Sequence, residues 1–406
     1  MPIIVQKFGG TSLSTEEARG HAIKHIKKAV QTNAKVVVVV SAMGRQGEPY
    51  ATDTLLDWIE HNGNQLPNRE KDMLLCCGEI ISATTMCSLL HREGIPAAVL
   101  NGAQAGITTN SQFGDARIET IRPHRIHQLL DEGKVVIVTG FQGVTKDGDY
   151  TTLGRGGSDT SATALGAALR AKVVDIFTDV EGILTADPRV VPDAKPLSHV
   201  TYAEICNMAY NGAKVIHPRA VEVAMQSNIP VRVRSTFSEE EGTLVCSPEM
   251  IRDMNLEVSD RHVTGIAHVQ QVTQIQVAAK EGQFDLQLQV FQAMARKGIS
   301  VDFINVYPSG VVYTVYDKEA AQAQQILREL GYEPALLSGC AKVAVIGGGM
   351  NGVPGIMAQI VEALTVQDIP ILQSADSNTT IWVLVRKDDM AKAVNALHQK
   401  FNLHHS

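Results

Sequence analysis

The chain has 406 residues, 44% of them apolar and only 5% aromatic, with a formal net charge of −7. That length allows more than one buried core, and an acidic balance without a Lys/Arg-rich run argues against nucleic-acid and anionic-membrane surfaces and for small-molecule partners. Six cysteines, Cys76, Cys77, Cys87, Cys206, Cys246 and Cys340, form no CxxC pair or His-containing ligand spacing, so reduced thiols and no metal site are expected.

The first part alternates strand and helix patterns. A strand from Ile3 to Phe8 is followed by a helix from about Thr15 to Thr32 and by Lys35 to Val40, whose consecutive valines suit a strand buried on both faces. A helix around Arg69 to Arg92, strands at Ala97 to Leu100 and Val135 to Thr139, and a helix from Ser158 to Ala171 continue the series. Strands at Asp175 to Thr178 and Val231 to Arg234 enclose a helix from Ala220 to Ser227. This α/β order predicts a mostly parallel sheet sandwiched by helices over residues 1–240.

The acidic stretch from Ser238 marks a boundary, with a linker expected over 241–262. Beyond it the chain predicts a βαββαβ unit: strand Gln274 to Ala278, a helix to Arg296 with Phe284, Leu288 and Phe291 as its apolar stripe, strands Val301 to Val306 and Val311 to Tyr316, a helix Lys318 to Leu330, and a strand near Pro334 to Leu337. The series restarts at Lys342 but lacks a last strand, which His262 to Val269 can supply. One unit (271–338) is therefore expected inside the other (263–270 and 339–406). The tail pair His404-His405 is expected to be disordered. No apolar run approaches the roughly 18 residues of a membrane helix and no signal core precedes the first strand, which predicts a cytoplasmic protein with no membrane partner.

Four segments carry chemistry. Lys7-Phe8-Gly9-Gly10-Thr11-Ser12 ends a strand in a mobile cation and a glycine turn whose main-chain N–H groups can close on an anion. Gly154-Arg155-Gly156-Gly157-Ser158-Asp159 feeds a helix start in the same way, and Arg155 can fork onto a carboxylate or phosphate. Thr178-Asp179 through Arg189 crowds acids and an Arg after a strand end, where α/β sheets bind ligands. Gly212-Ala213-Lys214 through Arg219 adds another Lys near a glycine. Singly, each also admits a plain structural reading as a capped helix or a solvated loop.

Taken in this order, the four segments resemble the KFGGTS, GRGGSD, TDV-G-TADPR and GAK-HPR signatures of the aspartokinases, within the amino acid kinase family. Ser41-Ala42-Met43-Gly44, Thr52-Asp53 and Gly78-Glu79 resemble that family's aspartate-site segments, and the C-terminal repeat resembles its tandem ACT domains. The resemblance covers essentially the whole chain.

It implies an amino acid kinase fold followed by two ferredoxin-like ACT units, and transfer of the γ-phosphoryl group of ATP, with Mg²⁺, to the β-carboxylate of L-aspartate. That reaction opens lysine, threonine, methionine and diaminopimelate biosynthesis. By resemblance, Lys7, Asp159 and Lys214 are catalytic, Asp159 holding Lys7. Lys7, Gly9, Gly10, Ser12, Thr178, Asp179, Leu184, Arg189 and Lys214 would contact the nucleotide. Ser41, Thr52, Glu79, Arg155, Gly156, Gly157 and Ser158 would contact aspartate, with Arg155 on a carboxylate and Glu79 on the ammonium. Leu184 replaces a Tyr common in the family, so an aromatic contact with the nucleotide is missing. Feedback by lysine, threonine or diaminopimelate at an ACT interface, with Asn305 as an effector contact, and a homodimer or larger assembly are also implied.

Rival readings remain open at this level. Gly347-Gly348-Gly349-Met350-Asn351-Gly352 satisfies GxGxxG, but about 30 residues follow Asp376, too few for a second Rossmann half. A non-catalytic ACT sensor is disfavoured by the presence of Lys7, Asp159 and Lys214. A kinase for another carboxylate substrate stays within the same class.

Overall fold

The computed structural model describes residues 1–61, 66–213, 215–254, 262–280, 283–350 and 352–405. The chain divides into two units, one comprising Met1–Ile183, Pro196–Ala209 and Lys214–Ser259, the other Leu184–Lys195, Tyr210–Ala213 and Asp260–Ser406.

The first unit begins with β1 (Ile3–Phe8), α1 (Glu16–Gln31), β2 (Lys35–Val40), α2 (Thr52–His61), α3 (Asn68–Arg92) and β3 (Ala97–Leu100). It continues with β4 (Ile107–Thr109), β5 (Ile118–Ile121), α4 (His124–Asp131), β6 (Val135–Thr139), β7 (Gln142–Val144), β8 (Tyr150–Thr152), α5 (Gly157–Leu169) and β9 (Val173–Thr178). Then come β10 (His199–Thr201), α6 (Tyr202–Tyr210), α7 (Pro218–Gln226), β11 (Val231–Ser235), β12 (Thr243–Cys246) and α8 (Pro248–Asp253). The main sheet runs β10-β12-β11-β9-β1-β2-β6-β3, parallel except where β11 meets β12. A smaller sheet runs β5-β4-β7-β8.

Central strands in such a sheet are covered on both faces, and β2 accordingly buries all five of its valines. Helices α1 and α3 supply one cover, packing Ile23, Ile26, Ala83, Met86 and Leu90 against Val36, Val38 and Ile137. Thr15 caps α1, its hydroxyl accepting from Ala18 N–H at 3.1 Å. Parallel register aligns the strand ends: Phe8 pairs with Val40 and Phe177, Val40 with Thr139, and Thr178 with Ser235. The loops after β1, β2, β6, β9 and β11 therefore leave from one edge, where α/β sheets bind ligands.

Two expectations change here. Helix α3 is long and apolar enough, by length and composition, to cross a membrane; its apolar residues are interrupted by small Cys, Gly, Ser and Thr residues, so no continuous run announces it. It packs on β3, β6 and β8 and buries Asp72 and Glu79 along with its apolar face, as a core helix does. Within the linker expected over 241–262 the chain forms a strand and a helix. Thr243–Cys246 joins the main sheet as β12, with the Thr243 hydroxyl donating to Leu197 O at 2.6 Å and Val245 and Cys246 fully buried.

The second unit contains β13 (Gly265–Ala278), α9 (Leu286–Arg296), β14 (Asp302–Tyr307), β15 (Gly310–Tyr316), α10 (Asp317–Glu329), β16 (Ala335–Ile346), α11 (Ile356–Thr365), β17 (Gln373–Asp376), β18 (Thr380–Arg386) and α12 (Met390–Lys400). Its sheet runs β14-β15-β13-β16-β18-β17. The long strands β13 and β16 serve two βαββαβ sets, with a register irregularity between Val269 and Val272 separating their halves. Gly265 to Val269 pairs with Ile346 to Lys342, while Val272 to Ala278 pairs with β15. Leu184–Lys195, which sequence alone places with the first domain, belongs here because Ala186 and Val191 are buried in the core with Val343, Ile360 and Leu397.

On α9 the buried positions are Leu286, Val290 and Met294; of the expected stripe Phe291 packs against this core, whereas Phe284 is 94% and Leu288 59% exposed. Gly347 needs its missing side chain for packing: a Cβ there would meet His262 O at 2.0 Å. The tail is ordered through His405, with Leu403–His405 in a short 3-10 turn anchored by buried Leu403.

Candidate active site

The site grows from the common edge of the main sheet. Lys7, next to last in β1, places Nζ 2.6 Å from Asp159 Oδ1, both side chains only about one-eighth exposed (12% and 13%). Asp159 sits in the first turn of α5, where a carboxylate is favoured by the helix N-terminus, and its Oδ2 accepts from His217 N–H at 3.4 Å. The two cation-bearing loops are thus joined by one acid. Gly9 leaves the Lys7 ammonium uncovered, since a Cβ would lie 3.4 Å from Nζ.

Gly10 fits for a different reason. A Cβ would stand 2.6 Å from Gly44 O, and Gly10 O accepts from Gly44 N–H at 3.0 Å, locking the loop after β1 to the loop after β2. Ser12 is fully buried, its hydroxyl 2.7 Å from Thr236 Oγ1 and its N–H bonded to Gly9 O. Both of its polar groups therefore brace the turn. Beyond β9, Thr178 Oγ1 donates to Asp179 Oδ1 at 3.2 Å, and Arg45 Nη2 pairs with Asp179 Oδ2 at 2.8 Å.

Glu79 is the most perturbed acid of this group. It is 2% exposed, its Oε1 accepts from Ala42 N–H at 3.0 Å, and its Oε2 has no hydrogen-bond partner among the described residues. Burial pushes its pKa up to about 8, against the pull of the Ala42 N–H. A buried carboxylate oxygen left unpaired is costly and awaits a cation or donor. Gly78 allows this approach, because a Cβ would meet Ala42 Cβ at 2.9 Å and Tyr50 O at 3.0 Å. Ser41 ends the hydrogen-bonded run of β2 with its N–H on Phe8 O, and Thr52 opens α2; both are half-buried.

Arg155 is exposed, without a hydrogen-bond or ion-pair partner among the described residues. Its turn is rigid. Gly156 is left-handed (φ 68°), and a Cβ there would lie 2.1 Å from His217 Cγ; one on Gly157 would meet Phe141 at 2.7 Å. Ser158 is buried against Gly140, the residue after β6. Arg219 clamps the turn, donating to Leu153 O and Ala116 O, each at 2.7 Å.

The remaining expected residues fall elsewhere. Leu184 and Arg189 lie in the segment of the second unit, and Arg189 is held bidentately by Asp187 (3.0 and 2.7 Å) with its side chain 85% exposed. Lys214 lies outside the described residues. Just before it, Asn211 Oδ1 accepts from Trp382 Nε1–H at 2.9 Å within the second unit. Sequence reasoning assigned nothing to Asp72, His217 or Arg219. For Asp72 the available signal is its spacing of two helical turns from Glu79; the other two fall inside a motif but act by packing and backbone bonds.

Residues 2–235 match the model of the amino acid kinase family, and residues 336–399 that of an ACT domain. The chain is 56% identical over 403 residues to Aspartokinase 1 of Bacillus subtilis (strain 168), covering 99% of this chain and 100% of that one. It is 42% identical over 409 residues to the aspartokinase of Geobacillus stearothermophilus, covering 99% and 98%. Among solved structures it resembles E. coli aspartokinase III in complex with aspartate and ADP (TM-score 0.78, 27% identity, 98% and 99% covered). The same enzyme with lysine and aspartate gives a TM-score of 0.77 at 28% identity, with the same coverage. Joined to the charged glycine turns on one sheet edge, these full-length likenesses make the chain a member of the aspartokinases, within the amino acid kinase family.

Proposed function

We propose that this chain transfers the γ-phosphoryl group of ATP to the β-carboxylate of L-aspartate, giving 4-phospho-L-aspartate and ADP. A β-carboxylate oxygen attacks the γ-phosphorus as the bond to the bridging oxygen of ADP breaks. An ordinary Asp carboxyl has a pKa of about 4, so the acceptor is already ionised and no general base is required. The work is positioning and charge neutralisation. Lys7, held by Asp159, meets the charge on the transferring group, and the Gly9-Gly10 main chain adds donors. Mg²⁺ enters as part of the MgATP substrate, on the phosphate oxygens.

Glu79 takes the α-ammonium of aspartate and Arg155 a carboxylate, with Ser41, Thr52, Gly156, Gly157 and Ser158 completing that side. Thr178 and Asp179 line the nucleotide side, to which Leu184, Arg189 and Lys214 are assigned by resemblance alone. The observation that carries the reading is the pairing of Lys7 with Asp159, together with a buried Glu79 whose second oxygen has no hydrogen-bond partner among the described residues.

The second unit is read as two ACT domains, residues 271–338 within 263–270 and 339–406, binding lysine, threonine or diaminopimelate in a homodimer or larger assembly in the cytoplasm. The lysine-bound state of the E. coli enzyme supports the effector class. Asn305 is one contact, its Oδ1 accepting from Gln373 Nε2 at 2.5 Å. ADP release measured with MgATP against aspartate, glutamate and acetylglutamate, with hydroxylamine trapping of the acyl phosphate, tests the reaction. Turnover independent of aspartate, or faster with glutamate, would overturn it.

A further inference from the structure

Asp72 is 1% exposed and has no described cation beside it. Its carboxylate is occupied by three donors: Oδ2 accepts from Gly114 N–H at 2.9 Å and Thr152 N–H at 2.8 Å, and Oδ1 from the Thr152 hydroxyl at 2.8 Å. Burial raises its pKa while these bonds lower it. An unpaired charge in such a place costs stability that an apolar residue would not.

Its position explains what that cost supports. Asp72 lies seven residues before Glu79 on α3, close to two helical turns, so the two acids share a face. Thr152 ends β8, and the next residues are the turn that carries Arg155. Gly114 leads into Asp115, whose Oδ1 would sit 2.7 Å from a Cβ on left-handed Gly154, and Ala116 N–H returns to Thr152 O at 2.9 Å. One carboxylate therefore ties the helix of Glu79 to both strands of chain that shape the Arg155 turn.

We propose that Asp72 is a positioning residue that fixes the span between Glu79 and Arg155 and so sets the affinity of the site for its α-amino dicarboxylate. The inference rests on the aspartate reading above. The nucleotide side, built from the loops after β1 and β9, does not depend on Asp72.

The test is steady-state kinetics on the full chain with both substrates varied, for Asp72→Ala, Asp72→Asn and Thr152→Val, each with a thermal melt. Asp72→Asn keeps all three bonds, its amide oxygen taking the two N–H groups and its amide N–H₂ donating to a rotated Thr152 hydroxyl, so its constants stay within about threefold of wild type. Asp72→Ala raises the aspartate KM about tenfold or more, with the ATP KM within about twofold, because only acceptor binding is loosened. Thr152→Val, which loses one bond, shifts the aspartate KM the same way by about three- to fivefold and decides the matter if the alanine variant does not fold. A wild-type aspartate KM in folded Asp72→Ala or in Thr152→Val, or parallel rises in both KM values, overturns the inference. Wild-type protein without aspartate-dependent turnover overturns the functional reading itself, and this inference with it.

Discussion

Lys7 Nζ and Asp159 Oδ1 stand 2.6 Å apart, joining the end of the first strand to the first turn of the helix that opens at Gly157. This contact holds the lysine side chain at the sheet edge. Both side chains keep about one-eighth of their surface, so on the proposed reading an incoming phosphate can share the lysine.

Lys7→Ala is expected to lower kcat by about 10²- to 10³-fold, the scale of losing one preorganised donor to the transferring group. Asp159→Ala should fall in the same range by releasing the lysine. Coupled ADP-release assays beside circular-dichroism melts check both; wild-type turnover in a folded Lys7→Ala variant removes the assigned role.

Glu79 gives a pH signature. With its pKa raised to about 8, the free site holds a neutral carboxyl at pH 7, whereas an ammonium ligand calls for the carboxylate. The kcat/KM for aspartate should therefore rise from pH 6.5 through 8 and level only about one pH unit above that, and Glu79→Gln should lose this dependence along with most binding. Stability runs the other way. A raised carboxyl pKa weakens the fold progressively as pH climbs from the unfolded value near 4.5 to the folded one near 8, so Glu79→Gln should melt higher than wild type at pH 8 and about equally at pH 4.5.

Arg155→Ala should raise the aspartate KM more than any other constant, by about ten- to a hundredfold, the worth of a charge-assisted hydrogen bond. Its exposure makes a folding defect unexpected. An unchanged aspartate KM, or a change confined to ATP, would remove Arg155 from the acceptor side.

Gly156→Ala should destabilise the protein by about 2 kcal/mol or more, combining left-handed strain with displacement of the His217 ring. Urea midpoints give the size. A variant as stable as wild type would show that the turn relaxes freely.

On the proposed function, removing everything after about residue 259 should relieve feedback. The structure adds that Ala186 and Val191 would lose the core formed by Val343, Ile360 and Leu397, so the truncated chain should aggregate or melt lower than the full one, as light scattering and calorimetry would record.

Local pattern made much of this architecture legible. Valine-rich β2 predicts a strand covered on both faces, and paired glycines after Lys7 and Arg155 predict anion-binding turns, because such signals reside in consecutive residues. The repeat after residue 262 likewise predicts two βαββαβ sets, and the strand order agrees. What failed locally has a common cause. Local periodicity puts the α9 stripe on Phe284, Leu288 and Phe291, of which only Phe291 packs on the core, and local composition puts Thr243–Cys246 in a linker, because burial is decided by neighbours distant in the chain.

Runs of a few residues suffice for the element types, the glycine turns and the charged residues available to them. Folding alone brings Asp159 to Lys7, seals Glu79 against Ala42 with Oε2 unpaired among the described residues, couples α3 to the Arg155 turn through Asp72, and puts the segment from Leu184 to Lys195 in the second unit. Propensity and periodicity act over a few residues, whereas ion pairing, desolvation and core membership are properties of chain segments brought together by folding.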